Sequence, residues 1–327
     1  MIFQIFQKRH FTCVSKYLKS ITSMSCVSFV ALDLDGTTLN SQSSLSECTQ
    51  DTLRKLSSEG VTIAILTGRS MPAVYPHVQT LSLSKSVPVV SYNGCCGYSL
   101  KMGGDCVEKE HTHFEIGLDK QNAREVILFA VAHGYLIQYY CRQSGNIYAL
   151  NHCHGDHDSL LSQYSGLTQQ IQARKDFHVN GVLSENALDL FLDEVPCAKI
   201  LVLDNDVDCM LGRAADAFSK DKFSIIKGSP HSFFVEFLPA GVTKGDGMVK
   251  LCGSLGISLD AVVAFGDGEN DVEFLKFAGI GVAVKNARQV TKDAANIVLD
   301  RTNDEDAVAL HLEHMFSNGS FRSSGCV

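Results

Sequence analysis

Residues 29–40 read FVALDLDGTTLN. An apolar run ends at a carboxylate, Asp33. A second, Asp35, follows two places later, and then come Gly36 and two threonines. Residues two apart in an extended chain face the same way, so Asp33 and Asp35 project into one space. Carboxylates this close repel, and one holds its proton to higher pH unless a cation lies between them. The stretch therefore calls for a shared proton or a bound metal.

Four further runs have the same form. VTIAIL (61–66) ends in TGRS and VPVVSY (87–92) in NGCCG. AVVAFG (261–266) ends in DGEND and IGVAV (280–284) in KNA. A helix is predicted over 46–59, with Ser44 three before Glu47 as in a capping box and Gly60 as its stop. Apolar strands alternating with helices predict an α/β fold with a doubly wound, Rossmann-like parallel sheet. In such a sheet the carboxyl ends of the strands converge on one ligand-binding crevice.

A long interval separates the third and fourth of these strands. Its segment QNAREVILFAVAHG places Ala123, Val126, Ile127, Ala130 and Val131 on one helical face, with Gly134 as the stop. YLIQYY, AKILVL and HSFFVEFL read as strands and 206–219 as another helix. The interval, 101–226, is read as an inserted α+β cap. The core then comprises 25–100 and 227–316, and 317–327 is a frayed tail. Residues 1–24 form an extension that holds Lys8, Arg9, Lys16 and Lys19, while the first acidic residue of the chain is Asp33. A basic, acid-free leader has the composition of a transit peptide, so the expected location is cytoplasmic, or mitochondrial or plastid if the leader acts in targeting.

Asp267 and Asp271 in GDGEND reach the same sheet edge as Asp33 and Asp35, and tilt the choice toward metal. Several carboxylate oxygens suit Mg²⁺, with substrate phosphate completing its shell. Thr67 supplies a hydroxyl at the second strand end, and Lys244 in VTKGDG supplies a cation before a helix. Acids, a divalent ion, a hydroxyl and a lysine around one point describe a phosphoryl-transfer site.

These motifs resemble those of the haloacid dehalogenase superfamily. DLDGTTL resembles its first motif, Thr67 with the following Gly and Arg its second, Lys244 its third and FGDGENDVEFL its fourth. GDGEND, the downstream VAVKNA and the large insertion before Lys244 resemble the Cof-type branch, whose members carry a type IIB cap and hydrolyse small phosphate esters. Lys285 departs from that pattern, since many relatives have Gly there. The resemblance implies that Asp33 is the nucleophile, forming an aspartyl-phosphate, and that Asp35 is the general acid and base. Mg²⁺ would be held by Asp33, by the Asp35 backbone carbonyl, by Asp267, and by Asp271 directly or through water. Thr67 and Lys244 would hold the phosphoryl group, and Asn270 would contact substrate phosphate. Gly68, Arg69, Asn93 and Gly94 would shape the phosphate loop.

The expected function is hydrolysis of small phosphate monoesters such as sugar phosphates. A phosphomutase of the same build and a non-catalytic binding protein are the alternatives, because fold does not fix function. A net charge of -8 argues against nucleic acid or an anionic membrane as partner, and no apolar run is long enough for a membrane span. Nothing in the sequence signals an oligomeric state. The 12 cysteines include no CxxC pair, which reads as reduced thiols in a cytosol-like compartment, Cys95 and Cys96 included. NHCHGDHD (151–158) offers His152, Cys153, His154 and His157 as zinc donors, but at a spacing that matches no common zinc module. A polar cap loop is the plainer reading.

Overall fold

The computed structural model describes residues 26–150, 181–183, 188–227 and 233–321. The leader, the His152–His157 cluster and residues 322–327 lie outside them. The described strands form two sheets, one of eight strands and one of six.

The larger sheet is built on the predicted strands. They are β1 (Phe29–Leu32), β2 (Thr62–Leu66), β3 (Val87–Ser91), β12 (Val262–Gly266) and β13 (Ile280–Ala283). All pair in parallel, and β14 (Ile297–Val298) adds a further parallel strand beside β13. Strand β1 lies centrally, between β12 and β2, with Leu32 opposite Phe265 and Ile65. Its four residues are all buried, as a strand covered on both faces requires. One covering layer is α1 (Glu47–Ser58), α2 (Met71–Leu81) and α9 (Ala307–Ser317). The other is α6 (Lys244–Leu255), α7 (Val272–Phe277) and α8 (Gln289–Ala294).

Helix α1 starts one cap later than the sequence predicts. Ser46 is the N-cap, its hydroxyl accepting from Thr49 N at 3.0 Å. Ser44 instead belongs to a turn held by Asn40, whose side chain accepts from the Ser44 amide at 3.0 Å. The Asn40 carboxamide satisfies Ser44 locally, which leaves Ser46 to take the orphan helix donors.

The junctions of the insert also fall elsewhere than 101 and 226. Strands β4 (Cys96–Gly103) and β5 (Cys106–Glu115) make an antiparallel hairpin that extends the large sheet beyond β3. They belong to the core. Their polar sequence, with Glu108, Lys109, Glu110 and His111 exposed along the edge, carries no apolar run to announce a strand. Charges on an edge strand block pairing with other chains.

The smaller sheet has the order β10-β11-β9-β6-β7-β8. Its members are β6 (Leu136–Cys141), β7 (Ile147–Leu150), β8 (Gly181–Leu183), β9 (Cys197–Leu203), β10 (Phe223–Lys227) and β11 (Phe234–Pro239). All its pairs are antiparallel except β7 with β8. Residue 227 therefore ends a cap strand rather than starting the core, and β11 belongs to the cap as well. One face is apolar: Ile137, Tyr139, Ile200, Val202, Val235 and Phe237 form a core with α3 (Lys120–His133), α4 (Leu188–Glu194) and α5 (Val207–Ala217). The opposite face, set by the two-residue period, carries Gln138, Tyr140, Lys199, Leu201 and Glu236.

After β3 the chain turns through Tyr92–Gly94 with positive φ at all three residues. Gly94, at φ 109°, brings this turn against the start of α6. A Cβ there would lie 2.0 Å from the Thr243 carbonyl oxygen. Gly94→Ala is therefore expected to cost about 2–4 kcal/mol, from backbone strain and displacement of α6 together. Urea denaturation would show it as a lower midpoint, and an unchanged midpoint would contradict the close approach.

Candidate active site

Five strand ends supply the site. Asp33 follows β1, and its amide donates to Phe265 O at 3.0 Å, which fixes it beside the end of β12. The chain then folds into the Leu34–Thr38 turn. Thr38 Oγ1 closes it onto Asp33 O at 2.6 Å, and Thr37 Oγ1 donates to Asp267 Oδ1 at 2.8 Å. Gly36 lets this turn approach Asp267. Its φ is +78°, and a Cβ would sit 2.6 Å from the Asp267 carboxylate.

Asp267 follows β12. Asp271, four residues on, folds back so that its Oδ2 accepts from the amides of Asp267 and Gly268, both at 2.8 Å. Its other oxygen lies 2.5 Å from Lys244 Nζ, which also donates to Asp33 Oδ1 at 2.7 Å. Lys244 is the first residue of α6 and is 1% exposed. Thr243 caps that helix by accepting from Asp246 N at 3.1 Å.

Oxygens of Asp33, Asp267 and Asp271 lie within 4.8 Å of one another. Lys244 brings one positive charge to these three acids, and the deficit shows in the proton affinities of Asp33 and Asp267. Burial, then Asp271, raise Asp33 well above the ordinary carboxylate range, against the opposing pull of Lys244. Burial, then Asp271, push Asp267 up to about 6. Burial pulls Lys244 down, but Asp271 and Asp33 outweigh it and hold the ammonium charged. A cluster of hard oxygen donors short of positive charge fits a divalent cation.

Asp35 stands apart from this cluster. Its half-exposed side chain is gripped by Arg69, with Nε to Oδ2 at 2.8 Å and Nη2 to Oδ1 at 2.6 Å. Strand geometry would aim Asp33 and Asp35 alike, but the chain stays extended only through Asp33 and then folds into the Leu34–Thr38 turn, so the two carboxylates part. Both still line the same cavity, of about 540 Å³.

Of the other predicted residues, Thr67, Gly68, Arg69, Asn93 and Asn270 line the cavity with them, while Gly94, Lys244 and Asp271 lie outside its lining. Thr67 follows β2, with its amide donating to Val90 O at 2.9 Å and its carbonyl accepting from Asn93 N at 3.1 Å. Gly68 lets the Asn93 carboxamide pass close, since a Cβ would meet it at 3.1 Å. Asn270 Nδ2 donates to Asn93 Oδ1 at 2.9 Å. Sequence reasoning missed several wall residues. Asn286, whose Nδ2 donates to Gly36 O at 2.7 Å, and Arg288 come from the loop after β13. His77, 3.1 Å from Arg69 Nη1, backs the Arg69 side chain from α2. Tyr140, Lys199, Leu201, Ile226, Phe234 and Glu236 come from the cap. A lone Lys in AKILVL and a lone Glu in FFVEFL were the available signals. Among the described residues every cysteine is free, and Cys95 and Cys96 are buried thiols whose proton affinity burial raises.

Residues 30–312 match the haloacid dehalogenase-like hydrolase family. The chain belongs to that family, in its Cof-type branch. YitU of Bacillus subtilis, named a 5-amino-6-(5-phospho-D-ribitylamino)uracil phosphatase, is 27% identical over 289 residues, covering 88% of this chain and 97% of that protein. The chloroplastic endoribonuclease YBEY of Arabidopsis thaliana is 28% identical over 295 residues, covering 86% of this chain. The chain spans only 45% of that protein's length. A haloacid dehalogenase-like hydrolase from Bacteroides thetaiotaomicron superposes with a TM-score of 0.69 at 25% identity, over 89% of this chain and 100% of the other.

The cluster's proton affinities predict a pH signature. Burial and Asp271 push the Asp267 carboxyl up to about 6 in the folded chain, above an ordinary carboxylate value of about 4. Without metal, the folded state is favoured below the lower value and loses roughly 3 kcal/mol as pH rises through the upper one. A divalent cation must displace this proton, so its affinity is expected to fall by up to about tenfold per pH unit below 6. Calorimetric Mg²⁺ titrations at pH 5 and 7 check this, and equal affinities would refute it.

Proposed function

We propose that the chain is a Mg²⁺-dependent phosphatase of small phosphate monoesters, acting through an aspartyl-phosphate on Asp33. Membership of a hydrolase family, and a relative named as a phosphatase over nearly its whole length, support phosphoric monoester hydrolysis. The observation that carries the mechanism is Lys244, whose ammonium holds one oxygen each of Asp33 and Asp271 with Asp267 alongside.

The divalent ion would be held by Asp33, Asp267, the Asp35 carbonyl and Asp271, the last directly or through water. When bound, it supplies the positive charge that lets phosphoryl oxygens approach a carboxylate. Lys244 fixes the rotamer of Asp33 by gripping Oδ1. The Asp33 carboxylate attacks phosphorus, and the bond from phosphorus to the ester oxygen breaks. Asp35 protonates the departing oxygen. It then takes a proton from water as that water attacks phosphorus, which breaks the bond to Asp33 and frees inorganic phosphate. Arg69 holds both Asp35 oxygens as acceptors, so one of them must leave the guanidinium before Asp35 can carry the proton that it gives to the departing oxygen. Thr67, Lys244 and Asn270 hold the phosphoryl oxygens, and Gly68, Arg69 and Asn93 shape the loop around them.

The cap roofs the site, which limits bulk water and suits metabolites rather than phosphoproteins. Its wall is mixed. Tyr140, Leu201, Ile226 and Phe234 offer apolar surface beside the charges of Lys199 and Glu236. That suits a leaving group with hydroxyls and one apolar or planar face. Sugar phosphates and the phosphoribityl-uracil compound for which YitU is named both enter the test panel.

A panel of phosphate esters, assayed with Mg²⁺ and with a chelator, tests the reading. The parent is expected to release inorganic phosphate only with the cation. Asp33→Asn is expected to lower kcat at least about 1000-fold while keeping the fold. Turnover by Asp33→Asn at the parental rate would overturn the proposal.

A further inference from the structure

Lys199 and Glu236 are the only buried ammonium and carboxylate among the described residues outside the cluster around Lys244. Both lie on cap strands, β9 and β11, and both face the site cavity. The cap does not need them for its own core, which occupies the other face of its sheet. A buried ion pair is also no cheaper than a well-packed apolar pair. Their partners show what they do.

Lys199 Nζ lies 3.1 Å from Glu236 Oε2 and donates to Gly68 O at 2.9 Å. The Glu236 Oε2 accepts from Asn93 Nδ2 at 2.9 Å, and Asn93 Oδ1 accepts from Asn270 Nδ2 at 2.9 Å. The direction of this chain is forced. An ionised Glu only accepts, so Asn93 must turn its NH₂ to Glu236 and its oxygen to Asn270. Two cap strands are thereby tied to the loops after β2, β3 and β12. Asn93 holds φ 54°, a strained value that needs outside support.

We propose that Lys199 and Glu236 are positioning residues that make the docked cap part of the phosphoryl-binding loop. Lys199 fixes the Gly68 carbonyl, and through it the Thr67–Arg69 turn. Glu236 fixes the Asn93 carboxamide, and through it Asn270. This rests on the phosphatase reading of the same site. It differs from a contact with the leaving group in one respect. A relay acting through the core loops affects every phosphate ester alike, and inorganic phosphate too.

The test uses the full chain with Mg²⁺. Removing one charge alone would strand the other, so the main variant is the double substitution Lys199→Met with Glu236→Leu. It is expected to melt close to the parent, yet to bind inorganic phosphate about tenfold or more weakly by calorimetry. Its kcat/KM should drop by a similar factor for p-nitrophenyl phosphate and for larger esters. Glu236→Gln keeps size and one acceptor but leaves Lys199 without its counter-charge, so it should melt below the parent while showing a smaller loss than the double variant in the same quantities. Parental phosphate affinity in either folded variant overturns the relay, as does a loss confined to larger esters. A parent that hydrolyses no ester would end the phosphatase reading, while the phosphate titrations would still decide the relay.

Discussion

Lys244 sits 2.7 Å from Asp33 and 2.5 Å from Asp271, almost wholly out of water. Three acids around one ammonium leave the site short of positive charge. Burying ions is costly, and a pair recovers that cost only when each partner's remaining valences are met. Here they are met locally. Asp271 takes two backbone amides, Asp267 takes the Thr37 hydroxyl, and Thr38 braces the Asp33 carbonyl. What stays unmet is charge, which together with burial raises the proton affinity of Asp33 and Asp267.

The rest of the fold serves that arrangement. Parallel strands β1 and β12 run side by side, so the residues after Leu32 and Gly266 emerge together. The turn at Gly94 brings α6 close enough for Lys244 to reach them. The cap then presents the polar face of a two-sided sheet, while its aromatic face is sealed under its own helices. The acids thus come from strand ends of one sheet, and the polar face of the other sheet closes the cavity beside them.

How much of this was legible follows from how each residue signals. Buried parallel strands are continuous apolar runs, so β1, β2, β3, β12 and β13 could be read, and their polar endings marked Asp33, Thr67, Asn93 and Asp267. The β4–β5 hairpin could not, because an edge strand studded with Glu108, Lys109 and Glu110 lacks the apolar signature. For the same reason the cap's first border was misplaced, while the second, at 226, cut off β11, an apolar run that was itself legible. The bidentate grip of Arg69 on Asp35 was also hidden, since a two-residue period holds only while the chain stays extended. Lys199 and Glu236 were visible as single charges inside apolar strands. Their meaning needed the third dimension, because their partners lie on loops 131 and 143 residues away.

We propose that the Lys244 cluster, once it holds a cation, makes Asp33 a nucleophile toward phosphorus, and crystals grown with Mg²⁺ and beryllofluoride would show it. Beryllium is expected bonded to an Asp33 oxygen, with the cation between Asp33 and Asp267 and Lys244 still in contact with Asp33. An Asp33 carboxylate left bare, with beryllofluoride absent or bound elsewhere, would contradict it.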